Sequence, residues 1–156
     1  MIAVVQRIAE GKVTVDGNVI AECSGKGLLV LLGVARGDEE NDAVLLADKI
    51  AKLRIFSDEN DKMNLSVTDV NGGIMVVSNF TLLASYRKGN RPDYMNSADP
   101  ETAEKLYNYF TDYIGKYTDR ISHGQFDADM KVSVVNDGPV TIVMDSNVLK
   151  QPKNAK

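Results

Sequence analysis

Two neighbouring stretches, Lys12-Val13-Thr14-Val15-Asp16-Gly17-Asn18-Val19-Ile20-Ala21 and Gly27-Leu28-Leu29-Val30-Leu31-Leu32-Gly33-Val34, decide how this chain folds. In the first, short apolar-alternating runs flank Asp16-Gly17. A two-residue hairpin turn needs left-handed backbone, which aspartate and glycine accept, so this is a hairpin. In the second, Leu28 to Val34 is apolar without alternation. A strand of that kind is buried on both faces and sits centrally in its sheet.

Helices to cover such a strand follow it. Asp38 is the expected N-cap of the first, with Glu39 and Glu40 where the helix dipole favours negative charge. Ala43, Leu46, Ala47, Ile50 and Leu53 fall on one face at helical spacing. Arg54-Ile55-Phe56 then leaves as a short strand, and Ser57 to Asp61 is turn-like. Gly72-Gly73 introduces a second central strand from Ile74, whose polar end is Ser78-Asn79-Phe80-Thr81.

Residues 84–99 form a long polar loop holding the densest basic cluster, Arg87, Lys88 and Arg91; ordered loops of this length are usually functional. Asp99 as N-cap and Pro100 at the first helical position start the second helix. Its buried stripe is Ala103, Leu106, Tyr107, Phe110, Ile114 and Tyr117. Met130 to Val135 and Val140 to Asp145 read as two further strands around Asn136-Asp137-Gly138-Pro139. The order strands, helix, strands, helix, strands predicts a single mixed α/β domain over residues 1–149. Its helices pack on one sheet with a second sheet behind, giving three layers. Lys150 to Lys156 reads as a polar tail.

Composition narrows the chemistry. The 156 residues carry 18 basic and 22 acidic side chains, a net charge of −4, which disfavours a broad basic face for coating nucleic acid. A local patch can still grip a few phosphates. One histidine, one cysteine and no tryptophan exclude a His-rich metal site, a Cys-pair zinc motif and an internal disulfide framework. The single cysteine fits a reducing cytoplasm. No apolar run approaches the ~18 residues of a membrane helix, and Met1 to Arg7 does not read as a signal peptide. Gly25-Lys26-Gly27 lacks the third glycine of a dinucleotide loop. An enzyme of this composition works with hydroxyls, carboxylates, amides and backbone groups.

Two segments offer such groups. Ser78 to Thr81 places hydroxyls and strand-end N–H groups where an oxyanion can be stabilised, or is simply a strand leaving for solvent. Gly138-Pro139 reads as a turn, or as a cis peptide whose two carbonyls point the same way. His123, between Ser122 and Gly124, has no partner in sequence and reads as non-catalytic. Cys23 reads as a small buried apolar group.

With these segments in view, the chain resembles the D-aminoacyl-tRNA deacylases, from Met1 to about Ser146. Seven blocks in order carry the resemblance: Val4-Val5-Gln6-Arg7, Gly27 to Val34, Leu53-Arg54-Ile55-Phe56, Lys62-Met63-Asn64-Leu65, Val77 to Leu82, Arg87 to Pro92, and Asn136 to Thr141. The resemblance implies a cytoplasmic homodimer that hydrolyses the ester joining a D-amino acid to the terminal adenosine of tRNA, and that also clears glycine from tRNA. It implies that Gly138-Pro139 is cis and enters the partner subunit's pocket, where its carbonyls exclude L-amino acids. Arg7 matches the arginine that helps hold this pair. Ser78, Asn79, Phe80 and Thr81 match the segment lining the scissile ester, with Thr81 in the position discussed as a nucleophile. The alternative gives the chemistry to water assisted by the ribose 2′-hydroxyl, with backbone N–H groups around Phe80 and Thr81 as the oxyanion site. Phe126 and Met130 fall where the terminal nucleoside is expected. No metal and no cofactor is implied.

With His123 as the only histidine, Thr81 has no evident base, and this favours the RNA-assisted route. Two positions depart from the pattern. Asn79 stands where the family usually has glutamine, and Asp127 where it often has a glycine, at a place that suits φ > 0. These two leave open a non-catalytic RNA-binding module of the same fold.

Overall fold

Asp16 and Gly17 both take positive φ, 50° and 79°, so the hairpin turn forms where the sequence places it. In the computed structural model, which describes residues 1–152, this turn joins β1 (Ile2–Val15) to β2 (Asn18–Gly33). The two pair antiparallel from Ile2 opposite Gly33 to Val15 opposite Asn18. The expected strands on either side of Gly25 are therefore one long strand. It bends where Gly25 takes φ 76° and where the pairing slips between Ile8 and Glu10.

That bend folds the hairpin end back over the sheet. A Cβ built on Gly11 in β1 would lie 2.8 Å from Met75 Cε, two strands away. Between the folded-back end and the sheet lies a small core of Ile8, Val13, Ala21, Cys23, Leu29, Met75 and Val77.

The sheet has the order β6-β5-β2-β1-β7, with β5 (Gly73–Ser78), β6 (Ile121–His123) and β7 (Lys131–Asp145). β5 runs parallel to β2 and to β6. A second, two-stranded sheet pairs β3 (Phe56–Ser57) with β4 (Met63–Leu65). The main core lies between the five-stranded sheet and two helices, α1 (Glu40–Ala51) and α2 (Pro100–Ile114). Leu28, Val30 and Leu32 of β2 meet Leu46, Ile50, Phe110 and Ile114 there. The chain is thus a mixed α/β domain with helices on one face of the sheet.

The start of α2 is as the sequence predicts, with Asp99 Oδ1 accepting the Thr102 N–H at 3.0 Å. The start of α1 is one residue later than predicted. Glu39 is its N-cap, in a capping box with Asp42. Asp38 is occupied elsewhere, accepting from the Met1 ammonium and the Ala35 N–H, both at 2.6 Å.

The expected pair of C-terminal strands is a single strand. β7 pairs with β1 on both sides of the Gly-Pro segment: Ile8 faces Asn136 and Gln6 faces Thr141. Between them Arg7 alone faces residues 137–140. Asn136 to Pro139 is thus an outward bulge on an edge strand, where a proline removes no ladder bond.

A short last helix, α3 (Ser146–Lys150), closes the described chain. Lys150, expected in the tail, is part of it; residues 153–156 of that tail lie outside the described residues. Lys150 Nζ sits 2.6 Å from Asp42 Oδ1, which also accepts the Ser146 hydroxyl at 2.6 Å. Burial opposes ionisation of Asp42, but bonds from Lys150, Ser146 and the Glu39 N–H hold its carboxyl down to about 2. A free aspartate ionises near 3.8. The contribution to stability is therefore complete above about pH 4 and fades as pH falls toward 2. Asp42→Ala is expected to lose about 3 kcal/mol at neutral pH and much of the acid sensitivity in this window. Denaturant unfolding of both proteins at pH 7 and pH 3 checks this.

Candidate active site

Where β5 ends, the chain turns sharply. Asn79 N–H donates to the Leu32 carbonyl at 2.8 Å, and Phe80–Leu83 forms one turn of 3₁₀ helix. Phe80 and Thr81 occupy its first two positions. Their N–H groups have no carbonyl inside the turn to meet, and no side chain caps them among the described residues.

Beside this turn opens a cleft of about 520 Å³. Ser78, Asn79, Phe80 and Thr81 form one wall, and Phe126 and Met130 another. Six of the predicted site residues are thus brought together by the order β2-β5-β6, which sets the end of β5 beside the segment after β6. The floor is apolar, from Leu31, Leu32 and Val77.

Sequence reading missed several lining residues. Tyr107 reads as core because it lies on the buried stripe of α2. Its ring is buried, but its hydroxyl donates to the Val76 carbonyl at 3.0 Å and lies 3.4 Å from the Gly124 carbonyl. It ties β5 to the segment carrying Phe126. Burial pushes this phenol up to about 12, so it remains a donor. Ser97 and Ala98 line the cleft from the end of the basic loop, and Asp129 from beyond β6, beside Asp127, the position already distinguished by its departure from the family's glycine. Only polarity at a loop end signals Ser97 and Asp129 in sequence, and nothing signals Ala98.

The Thr81 hydroxyl has a partner. It donates to the Asn79 amide oxygen, a poor proton acceptor. His123 is outside the cleft lining, exposed, with Nδ1 2.8 Å from the Gly124 carbonyl. Cys23 is buried in the small core, where burial pushes its thiol up, away from the reactive thiolate.

Arg7, Gly138 and Pro139 are in another place. The Gly138-Pro139 peptide is cis. Arg7 Nε donates to the Asp137 carbonyl at 2.8 Å and lies 3.4 Å from Asp137 Oδ2. Its Nη1 donates to the Ile55 carbonyl at 2.6 Å. One guanidinium thus anchors the base of the bulge to the body. From β5 to β7 there are three interstrand steps, about 14 Å, and from the level of Ser78 to that of Arg7 about 13 Å along the strands. One chain does not bring the two halves of the predicted site together.

Residues 4–145 match the family model described as D-Tyr-tRNA(Tyr) deacylase. The chain belongs to this family. A D-aminoacyl-tRNA deacylase of Dictyoglomus turgidum is 49% identical over 156 residues, covering 100% of this chain and 99% of the relative. One from Anaeromyxobacter dehalogenans is 54% identical over 149 residues, covering 96% and 99%. A solved structure described as a c-Myc DNA unwinding element binding protein is 40% identical with a TM-score of 0.87, covering 93% of this chain and 98% of that one. A probable eukaryotic D-amino acid tRNA deacylase, 14% identical with a TM-score of 0.77 over 92% and 97%, shares the fold.

Within this deacylase-family fold, Asp127 takes φ 59°. That left-handed conformation costs an aspartate about 1 kcal/mol relative to glycine. Asp127→Gly is expected to raise the melting temperature by about 2–4 °C. A thermal melt in which the variant unfolds at or below the parent temperature would contradict this.

Proposed function

We propose that this chain, as a cytoplasmic homodimer, hydrolyses the ester between a D-amino acid, or glycine, and the 3′-terminal adenosine of tRNA, rejecting L-amino acids. Family membership makes it a deacylase, a hydrolase of aminoacyl esters. The homodimer, its place in the cytoplasm, the handedness filter, the glycine substrate and the route of hydrolysis are proposals.

The observation that carries the route is the commitment of the Thr81 hydroxyl to Asn79. A threonine nucleophile needs a base to take its proton, and an amide oxygen does not serve. The nucleophile is instead water, oriented by the ribose 2′-hydroxyl of the terminal adenosine. As water adds to the ester carbonyl, negative charge grows on the carbonyl oxygen. The N–H groups of Phe80 and Thr81, fixed in place before reaction, stabilise it. The intermediate collapses by breaking the bond to the ribose 3′-oxygen, which takes a proton. The products are a free amino acid and a tRNA with an intact 3′-hydroxyl. Phe126 and Met130 flank the adenosine, and the reaction uses no metal ion or cofactor.

The filter comes from the second copy. β7 is an edge strand whose outer side has no partner strand among the described residues, and its bulge carries Gly138-Pro139 outward. Inserted into the partner's cleft, this pair places two carbonyls where the side chain of an L-residue would lie. A D-residue points away, and glycine has nothing to exclude. Arg7 keeps the pair in position.

Removal of the Thr81 hydroxyl separates the routes. Thr81→Ala is expected to keep single-turnover hydrolysis of D-Tyr-tRNA within about ten-fold, whereas loss of a nucleophile costs on the order of 10⁶. A substrate ending in 2′-deoxyadenosine is expected to react about 10²–10⁴ times more slowly. A folded, tRNA-binding but inactive Thr81→Ala, with a deoxy substrate cleaved at full rate, would assign the chemistry to Thr81.

A further inference from the structure

We propose that the loop between Ala84 and Asn96 grips the phosphates of the single-stranded 3′ end of the RNA, just upstream of the nucleoside in the cleft. This rests on the deacylase reading above.

Charge is the first observation. From Ala84 to Pro92 the loop carries Arg87, Lys88 and Arg91 and no acidic residue, in a chain of net charge −4. All three side chains are exposed. Among the described residues the ion pairs lie elsewhere, at Met1–Asp38, Arg7–Asp137, Lys105–Glu40 and Lys150–Asp42. Three unpaired cations on one short loop make a local anion site that the chain as a whole does not offer.

Placement is the second. The loop is a clamped finger. Ser85 and Asp93 exchange two backbone hydrogen bonds, at 2.8 and 2.9 Å. At its base Arg36 N–H donates to the Asn96 carbonyl at 2.8 Å, and Ala98 N–H to the Val34 carbonyl at 3.0 Å. The two residues that follow it, Ser97 and Ala98, are walls of the cleft. Tyr94 packs edge-on against Phe80, with ring centroids 5.0 Å apart, and Ser97 Oγ donates to the Phe80 carbonyl at 3.3 Å. The loop that carries the cations is therefore tied, through Tyr94 and Ser97, to the turn that walls the cleft.

The third observation selects a single strand. Tyr86 is 81% exposed beside the cations. An unpartnered aromatic next to phosphate-binding cations suits unstacked bases, which offer a π-face that a duplex keeps inside.

The test uses the variant Arg87→Gln/Lys88→Gln/Arg91→Gln and two substrates, D-Tyr-tRNA and the short ester D-tyrosyl-adenosine. With tRNA, KM is expected to rise roughly 100-fold at 0.1 M salt with kcat unchanged. The slope of log kcat/KM against log salt is expected to become shallower by about 2, for three phosphate contacts on a single strand. With the short ester, kcat/KM is expected to stay as in the parent. An equal loss on both substrates would overturn the proposal in favour of a structural role. An unchanged tRNA KM and salt slope would overturn it as well, leaving the loop for another anionic partner. Should the parent cleave neither ester, the deacylase reading fails by itself. Binding of a short single-stranded RNA by parent and variant, with the same 100-fold expectation, then decides the loop.

Discussion

Gly138→Ala is expected to lower kcat/KM for a D-aminoacyl ester by about 100-fold and to shrink the preference for D over L, in a protein that still folds. Gly138 has φ 142°, where side-chain-bearing residues are strained at a cost of about 1–3 kcal/mol. An added Cβ would lie 2.7 Å from the Val140 backbone nitrogen, 2.9 Å from Val140 Cγ2 and 3.3 Å from Arg7 Nη2. The nearest obstacle is backbone of the same bulge, so no side-chain rotation relieves it. The bulge itself has to move, against the anchor that Arg7 provides at Asp137. A filter that works by steric exclusion at a carbonyl tolerates little displacement. Single-turnover assays on D- and L-esters, with a thermal melt, check the result. A variant with parental kinetics and a lowered melting temperature would show that the bulge has no part in the site.

Gly33→Ala is expected to produce a similar loss of kcat, up to about 100-fold, through the other half of the site. Gly33 ends β2 directly under the turn that follows Ser78. A Cβ there would overlap Leu83 Cδ2 and lie 3.0 Å from the Asn79 carbonyl oxygen and 3.2 Å from Leu82 Cβ. Leu83 can shift; the Asn79 carbonyl is backbone and accepts the Leu82 N–H at 3.3 Å. Pushing it moves the Phe80 and Thr81 N–H groups, to which the proposed route assigns the oxyanion. Overpacking also costs about 1–3 kcal/mol. On the proposed reading the adenosine lies elsewhere, between Phe126 and Met130, so KM is expected to change little. A rise in KM at constant kcat would contradict the oxyanion role of this turn.

These two glycines mark what the sequence could and could not disclose. The Asp16-Gly17 hairpin, the buried run Leu28 to Leu32 and the Asp99-Pro100 helix start were legible because each is set by residues within a few positions. The one-residue error at α1 came from a distant partner: the Met1 ammonium takes the carboxylate of Asp38, which locally looks like the better cap. Gly138-Pro139 reads as a turn or a cis peptide, and nothing nearby in sequence shows that β1 pairs on both sides of it. Ser78 to Thr81 stood out as polar residues at the end of an apolar strand. Tyr107 did not, because helical spacing describes its ring and says nothing of its hydroxyl. The cleft itself depends on β5 lying between β2 and β6, a parallel arrangement made by long connections that no local pattern encodes.

The central claim is a deacylase whose filter is blind to glycine and closed to L-residues. It is tested most directly by incubating purified protein with matched D-Tyr-tRNA, L-Tyr-tRNA and Gly-tRNA in the presence of a chelator. The account predicts rapid release of D-tyrosine and glycine and an L-ester that outlasts them by orders of magnitude. Equal hydrolysis of the D- and L-esters would contradict the filter, and hydrolysis of none by a folded, tRNA-binding protein would contradict the enzyme.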